Sequence, residues 1–279
     1  MSTLGIIAGL GDLPVSVAKA ALSEGRDIFV IRLAGFEEPK LADYPGEVAG
    51  LGQLGKQINL LKAAGCEEIV FAGLVKRPNF KSLKLDFVGA RLLPKVIAAA
   101  RQGDDALLRV VSGAYEAAGF RMIGADDVSQ SMLAGAGLLC GESPDDAAMS
   151  DLKKAASIAN TMGLLDVGQG AIVCDGLVLC VEAQEGTDAM IERCAALEVN
   201  LRGSESHPRG VLVKRPKPMQ ERRIDLPTVG VATVERARRA GLVGIGLETG
   251  GALLVDRDAV FARAEALGLF IFGFPADWN

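Results

Sequence analysis

Between Glu182 and Gly230 the 279-residue chain gathers carboxylates, cations and a polar amide at spacings suited to chemistry on phosphate. Val181-Glu182-Ala183-Gln184-Glu185-Gly186-Thr187-Asp188 closes one apolar run, opens a helical one, and holds three carboxylates within seven residues. Gly186 permits a sharp turn there, so the acidic oxygens can gather around a hard cation such as Mg²⁺. Thr187 as a helix cap and Asp188 beside the helix dipole are explained without any chemistry. That plainer account leaves Glu182 and Glu185 without a purpose. Further along, Lys214-Arg215-Pro216-Lys217-Pro218-Met219-Gln220-Glu221-Arg222-Arg223-Ile224-Asp225-Leu226-Pro227 carries five cations on a proline-stiffened loop. Lys and Arg neutralise phosphate oxygens, and a nearby carboxylate such as Asp225 holds a metal or orients water. A solvated charge run is the alternative for this segment.

Two N-terminal stretches have the context of ligand-binding turns. Gly9-Leu10-Gly11-Asp12-Leu13-Pro14 follows a predicted strand and opens a predicted helix, where backbone N–H groups meet phosphate. Pro14 stands in the third fingerprint position and the second strand ends near Arg32, which disfavours NAD and leaves a plain tight turn or a nucleotide-sugar turn. Lys76-Arg77-Pro78-Asn79 lies just past the third predicted strand, where cations meet ligand or simply face water.

Absences narrow the chemistry. His207 is the single histidine, which excludes His-rich zinc sites, and in Ser206-His207-Pro208 it has no nucleophile elbow to serve. There is no GxxxxGK[ST] phosphate loop. The five cysteines form no CxxC pair and read as reduced, buried thiols of a cytosolic protein. A net charge of −5 disfavours a general nucleic-acid footprint, and the local basic clusters suit a small anionic ligand better than a polyanion. The N-terminus lacks the basic region of a signal peptide, and no uncharged apolar run spans a membrane.

The elements that must position these residues follow an α/β rhythm. Apolar runs at 4–9, 27–33, 67–73 and 120–123 read as strands. Between them, 14–23, 53–64, 92–101 and 106–118 read as helices, which predicts a parallel, Rossmann-like sheet domain over residues 1–135. With aromatics at only 5%, its core must be aliphatic, as in parallel sheets covered by helices. A Gly/Ala/Pro-rich stretch at 136–150 breaks the rhythm and reads as a linker. Residues 151–279 then predict a C-terminal α/β domain with a mixed sheet. Its elements are a helix at 151–163, a hairpin around Asp175-Gly176, a helix at 188–198 and a strand at 210–214. A helix at 233–240, a second hairpin-like pair in 242–255, a helix at 258–266 and a last strand at 269–274 complete it.

Read together, GIIAGLGDLP (5–14), GADD (124–127), DVGQGAIVCDGLVLCVEAQEGTDAMIER (166–193), KRPKPMQERRIDLPTVG (214–230) and GLETGGALLVDRDAV (246–260) resemble the LpxI family. The likeness runs in order along essentially the whole chain. Its most specific parts are Glu185-Gly186-Thr187-Asp188 and Arg223-x-Asp225-x-Pro227-x-x-Gly230; Glu221 stands where many relatives carry Asp. The resemblance implies Mg²⁺-dependent hydrolysis (Mn²⁺ as the substitute) of UDP-2,3-diacylglucosamine to UMP and 2,3-diacylglucosamine 1-phosphate, lipid X, in lipid A biosynthesis. It also implies a substrate held between two domains.

On this reading Asp225 is the principal metal-binding or water-orienting carboxylate, with Asp188 and Glu185 as further metal ligands. Asp225, Asp188 and Lys214 are the candidate catalytic groups. Gly9, Gly11, Asp12, Arg77, Asn79, Thr187, Lys217, Gln220 and Arg223 are the candidate substrate contacts. The expected setting is cytoplasmic, peripheral to the inner membrane, with transient contact to its cytoplasmic face and no nucleic-acid partner; a homodimer stays open. Two competing readings are a non-catalytic nucleotide-sugar or lipid sensor and a nicotinamide-dependent oxidoreductase built on the Gly9–Pro14 turn.

Overall fold

A computed structural model describes residues 2–218, 223–224 and 226–278. These fall into two compact units: residues 2–130 together with Arg223 and Ile224, and residues 131–218 together with 226–278.

The first unit is built on five parallel strands, β1 (Thr3–Ala8), β2 (Ile28–Leu33), β3 (Gly46–Ala49), β4 (Cys66–Ala72) and β5 (Arg121–Met122), in the order β3-β2-β1-β4-β5. The central strand β1 is covered on both faces, which is why its sequence is a near-continuous apolar run rather than an alternation. The helices are α1 (Asp12–Ser23), α2 (Leu54–Ala63), α3 (Phe87–Ala100), α4 (Asp104–Ala117) and the short α5 (Ala125–Val128). Helix α2 packs so closely that a Cβ on Gly5 of β1 would lie 2.6 Å from Leu61 Cδ2. On the same side Tyr115 is buried edge-on to Phe71 and Phe120, and its hydroxyl donates to Gln57 Oε1. The parallel-sheet prediction therefore holds. Strand β3 was not predicted, and α3 begins at Phe87 rather than Leu92, because Asp86 caps it by accepting from Gly89 N at 2.8 Å.

The second unit holds β6 (Gly137–Cys140), α6 (Asp146–Leu164), β7 (Gly170–Cys174), β8 (Leu177–Val181), α7 (Gly186–Ala195) and β9 (Val211–Lys214). These are followed by β10 (Thr228–Val229), α8 (Val231–Arg239), β11 (Gly244–Glu248), β12 (Leu253–Leu254), α9 (Arg257–Ala266) and β13 (Phe270–Phe274). Its sheet runs β6-β13-β11-β9-β7-β8, with β9, β11 and β13 mutually parallel and β6, β7 and β8 each antiparallel to a neighbour, so the predicted mixed sheet is present. The period of two along β9 divides the core. Val211 and Val213 face α6, while Leu212 joins Ile245, Leu247 and Ile271 in a second cluster with Met190, Val234 and Val260 from α7, α8 and α9.

Two expectations are corrected here. Helix α6 starts five residues before Asp151, because Asp145 caps it through Ala148 N at 2.8 Å; the segment read as linker thus contains β6 and the first turn of α6. The pair expected in 242–255 is no hairpin: β11 lies between β9 and β13, and β12 pairs with β10 in a separate two-stranded ribbon. The hairpin at Asp175-Gly176 is confirmed, with positive φ at both residues as a type I′ turn requires. The buried carboxylate of Asp151 accepts from Asp175 N and Gly176 N, anchoring the turn to α6.

Candidate functional site

In the first unit the strand order reverses between β1 and β4, the position at which open α/β sheets leave a crevice past their carboxyl ends. Both N-terminal ligand turns sit there. Leu10 and Leu74 exchange backbone hydrogen bonds of 3.0 and 2.8 Å, so Gly9–Asp12 after β1 and Leu74–Asn79 after β4 are stitched side by side. Gly9 is needed because a Cβ would lie 2.6 Å from the Leu74 carbonyl, and Gly11 because its φ is +98°. The Gly11 N–H is met by the Glu38 carboxylate at 2.9 Å, and Asp12 is paired with Lys40 at 2.6 Å. An internal carboxylate thus occupies the first amide expected to meet phosphate. Arg77 is exposed and donates to the Ala100 carbonyl, and Asn79 caps a short 3₁₀ turn through Lys81 N. Arg223 lies in this unit too, with its guanidinium 3.5 Å from Glu116; a Cβ on Gly124, just after β5, would be 3.4 Å from the Arg223 Cα.

The second unit gathers the other half of the predicted residues. Lys214 ends β9, Gly170 begins β7 directly beside it, and Glu182 follows β8 on the far side of Gly170, with Glu182 N donating to the Gly170 carbonyl at 2.9 Å. A side chain on Gly170 would lie 2.6 Å from Glu182 Oε2, so its absence is what lets that carboxylate turn in among the strands. Glu182 and Lys214 are both buried. Burial pushes the Glu182 carboxyl above its ordinary range, and the charge of Lys214 and the Thr187 hydroxyl only partly oppose that. The Lys214 ammonium donates to the Thr228 carbonyl at 3.0 Å, three residues beyond Asp225, so this cation also braces the end of the motif-bearing loop. Lys217 donates to Asp166 Oδ1 at 2.8 Å.

The capping account of Thr187 is not what is observed. Helix α7 begins at Gly186 with no side-chain cap, and Thr187 Oγ1, inside the first turn, donates to Glu182 Oε2 at 3.0 Å. Sequence reasoning singled out Glu182 but gave it no role, and the structure makes it the hub joining Thr187, Gly170 and Lys214. Glu185 pairs with Arg193, and its own backbone N–H, ahead of Arg193, holds its carboxyl below the ordinary value. Asp188 pairs with Arg236 at 3.2 Å. Among the described residues no group of three potential metal ligands converges. Asp225 and Gln220 lie outside the described residues.

Sequence reasoning missed the buried pair between Arg215 and Glu248, 2.9 Å apart, with Arg215 also donating to the carbonyls of Ala156, Ala276 and Trp278. This cation of the basic loop is therefore committed to structure. The signal available was Glu248 itself, a charge ending an otherwise apolar strand. All five cysteines are free and buried, as expected.

Comparison with known proteins covers both units. The profile of the LpxI N-terminal domain matches residues 3–132 and that of the LpxI C-terminal domain matches residues 135–272. A relative from Caulobacter vibrioides, named UDP-2,3-diacylglucosamine pyrophosphatase LpxI, is 51% identical over 273 residues, which cover 98% of each chain.

Proposed function

This chain belongs to the LpxI family, and from that premise we propose that it hydrolyses the pyrophosphate of UDP-2,3-diacylglucosamine to UMP and 2,3-diacylglucosamine 1-phosphate in lipid A biosynthesis. The observation that carries the reading is 51% identity sustained over 98% of both chains. The balance of the reaction is simple. Water adds to one phosphorus, the bridging P–O bond breaks, and two protons are shed as both products become monoester dianions near neutral pH.

Pyrophosphate repels an incoming nucleophile, so the site must supply positive charge, an oriented water and a route for a proton. Lys217 and Arg223 are assigned to phosphate oxygens, with Gln220 and Thr187 orienting the substrate and the turn carrying Gly9 and Gly11 receiving the nucleotide end. Arg77, Asn79 and Asp12 border that end. Lys214 holds the loop that presents Asp225, and Asp225 orients the water. The donor set is oxygen-rich with a single histidine in the chain, which suits Mg²⁺ or Mn²⁺ and not zinc. Such an ion, held chiefly by Asp225 with Asp188 and Glu185 in support, would neutralise charge on the phosphoryl oxygens. Glu185 and Asp188 would then exchange Arg193 and Arg236 for the cation. The substrate is a lipid, and on this reading the protein meets it at the cytoplasmic membrane face; the described residues include no helix long and apolar enough to cross a membrane.

The test is product analysis. The protein is incubated with UDP-2,3-diacylglucosamine and Mg²⁺, and UMP is sought together with the lipid phosphate. UMP at a rate proportional to enzyme supports the reading. Tight binding without turnover would make the protein a lipid or nucleotide-sugar sensor instead.

A further inference from the structure

The segment 74–88, which follows β4 and runs into α3, has more exposed apolar surface than its role as a connection needs. Leu74, Val75, Leu85, Phe87 and Val88 are all exposed, and Phe87 retains 82% of its accessible surface at the first position of α3. Folded proteins scatter single apolar residues over their surface; five exposed within fifteen residues of one segment is denser than that scatter. Beside Phe87 lies an open hollow of about 560 Å³ whose wall includes Leu60 and Val88. Interleaved with these side chains are Lys76, Arg77, Lys81 and Lys84. The one acid of the segment, Asp86, has its carboxylate turned to the Lys56 and Gly89 amides. Four cations against one acid give this stretch a net charge of +3 on a chain whose total is −5.

We infer that residues 74–88 are the surface by which this protein docks on an anionic lipid bilayer. An apolar protein partner would match the exposed side chains but not the concentration of positive charge on an acidic molecule. A polyanion such as RNA would match the charge but not the protruding Phe87 with its aliphatic neighbours. A bilayer with anionic headgroups matches both. The rings and branches enter the headgroup–acyl boundary while lysine stems lie along it with their ammonium groups outward. This inference rests on the reading of the substrate as a membrane lipid, and adds to it a place on the molecule.

The experiment is sedimentation of the full chain with vesicles of phosphatidylcholine alone and with 30% phosphatidylglycerol. Three forms are compared: the unaltered protein, Phe87→Ser, and the double variant Lys81→Glu with Lys84→Glu. The unaltered protein should pellet with the anionic vesicles, not with the neutral ones, and be released by 0.5 M NaCl. Each cation removed should weaken partitioning about fivefold at low salt, and loss of the Phe87 ring about tenfold. All three forms should hydrolyse a detergent-dispersed short-chain substrate equally, and the variants should be slow only on substrate embedded in anionic vesicles. Failure of the unaltered protein to pellet, or pelleting of both variants like it, overturns the inference. Variants that change the oligomeric state while still pelleting would mark the patch as a protein interface and overturn it too. If the dispersed substrate is not hydrolysed at all, the functional reading fails, whatever the vesicles show.

Discussion

Lys214 illustrates how a buried cation holds a loop through its backbone. The buried ammonium on the Thr228 carbonyl ties the loop end to β9, and Asp225, the single Asp of that loop, is the carboxylate proposed to orient the water. Asp225→Ala is therefore expected to lose about two decades of kcat, the cost of removing one preorganised electrostatic group, at an unchanged thermal midpoint. Retention of more than about a tenth of the turnover would remove Asp225 from its proposed role. Glu182 behaves differently. Its carboxyl is raised above 4.5 by burial, so ionising it costs the folded state more than the unfolded one. Stability that is whole below pH 4.5 is lost as the pH climbs through the raised folded value. Glu182→Gln is neutral throughout, so its midpoint minus that of the unaltered protein should become more positive from pH 4 to pH 8. A difference that is flat or falls over that range would mean that Glu182 is held ionised by Lys214, against the direction argued here.

At the scale of elements, the two cations side by side at the end of β9 do different work. Lys214 faces Glu182 and the loop, whereas Arg215 is drawn under α6 and the C-terminal segment by Glu248 and three carbonyls. Arg215→Met leaves Glu248 buried without its partner, at a cost of about 3–5 kcal/mol. The thermal midpoint should fall by roughly 10 °C, given the ~2–4 °C per kcal/mol of chains this size. Turnover per folded molecule, measured well below that midpoint, should persist; its collapse would show that Arg215 contacts substrate. These elements also explain what the sequence could and could not reveal. The central strands and the Asp175-Gly176 hairpin were legible because burial on both faces and positive φ restrict residue type locally. Strand β3 was not, being a four-residue edge strand whose Glu47 and Val48 face solvent. The start of α3 was obscured by Pro94, whose local signal argues against a helix that Asp86 has already begun. At the site, the acids and cations were visible by type. Their partners were not, because Glu182 meets Lys214 and Arg215 meets Glu248 across more than thirty residues of intervening chain.

For the molecule as a whole, the proposed reaction sets two requirements on activity, and neither belongs to a single element. One is the cation. With one histidine and acids as the available donors, chelation by EDTA should abolish hydrolysis, Mg²⁺ or Mn²⁺ should restore it, and Zn²⁺ should not. Full activity in chelator would refute metal dependence. The other is the lipid. Each acyl methylene taken out of water contributes about 0.8 kcal/mol, or roughly fourfold in binding, so even a few buried methylenes outweigh the entire contribution of a phosphate contact at the surface. An enzyme that uses this contribution must discriminate by chain and not only by headgroup. UDP-N-acetylglucosamine carries the same nucleotide and pyrophosphate without the long chains, so it isolates the polar half of recognition. Its kcat/KM should be at least about a hundredfold below that of the diacylated substrate, and restoring chain length stepwise should recover it in KM before kcat if the chains bind uniformly. Recovery in kcat instead would mean that chain binding is coupled to the chemical step, through closure around the pyrophosphate. Equal kcat/KM for the two compounds would leave a pyrophosphatase with no acyl recognition, and the lipid A assignment would fall with it.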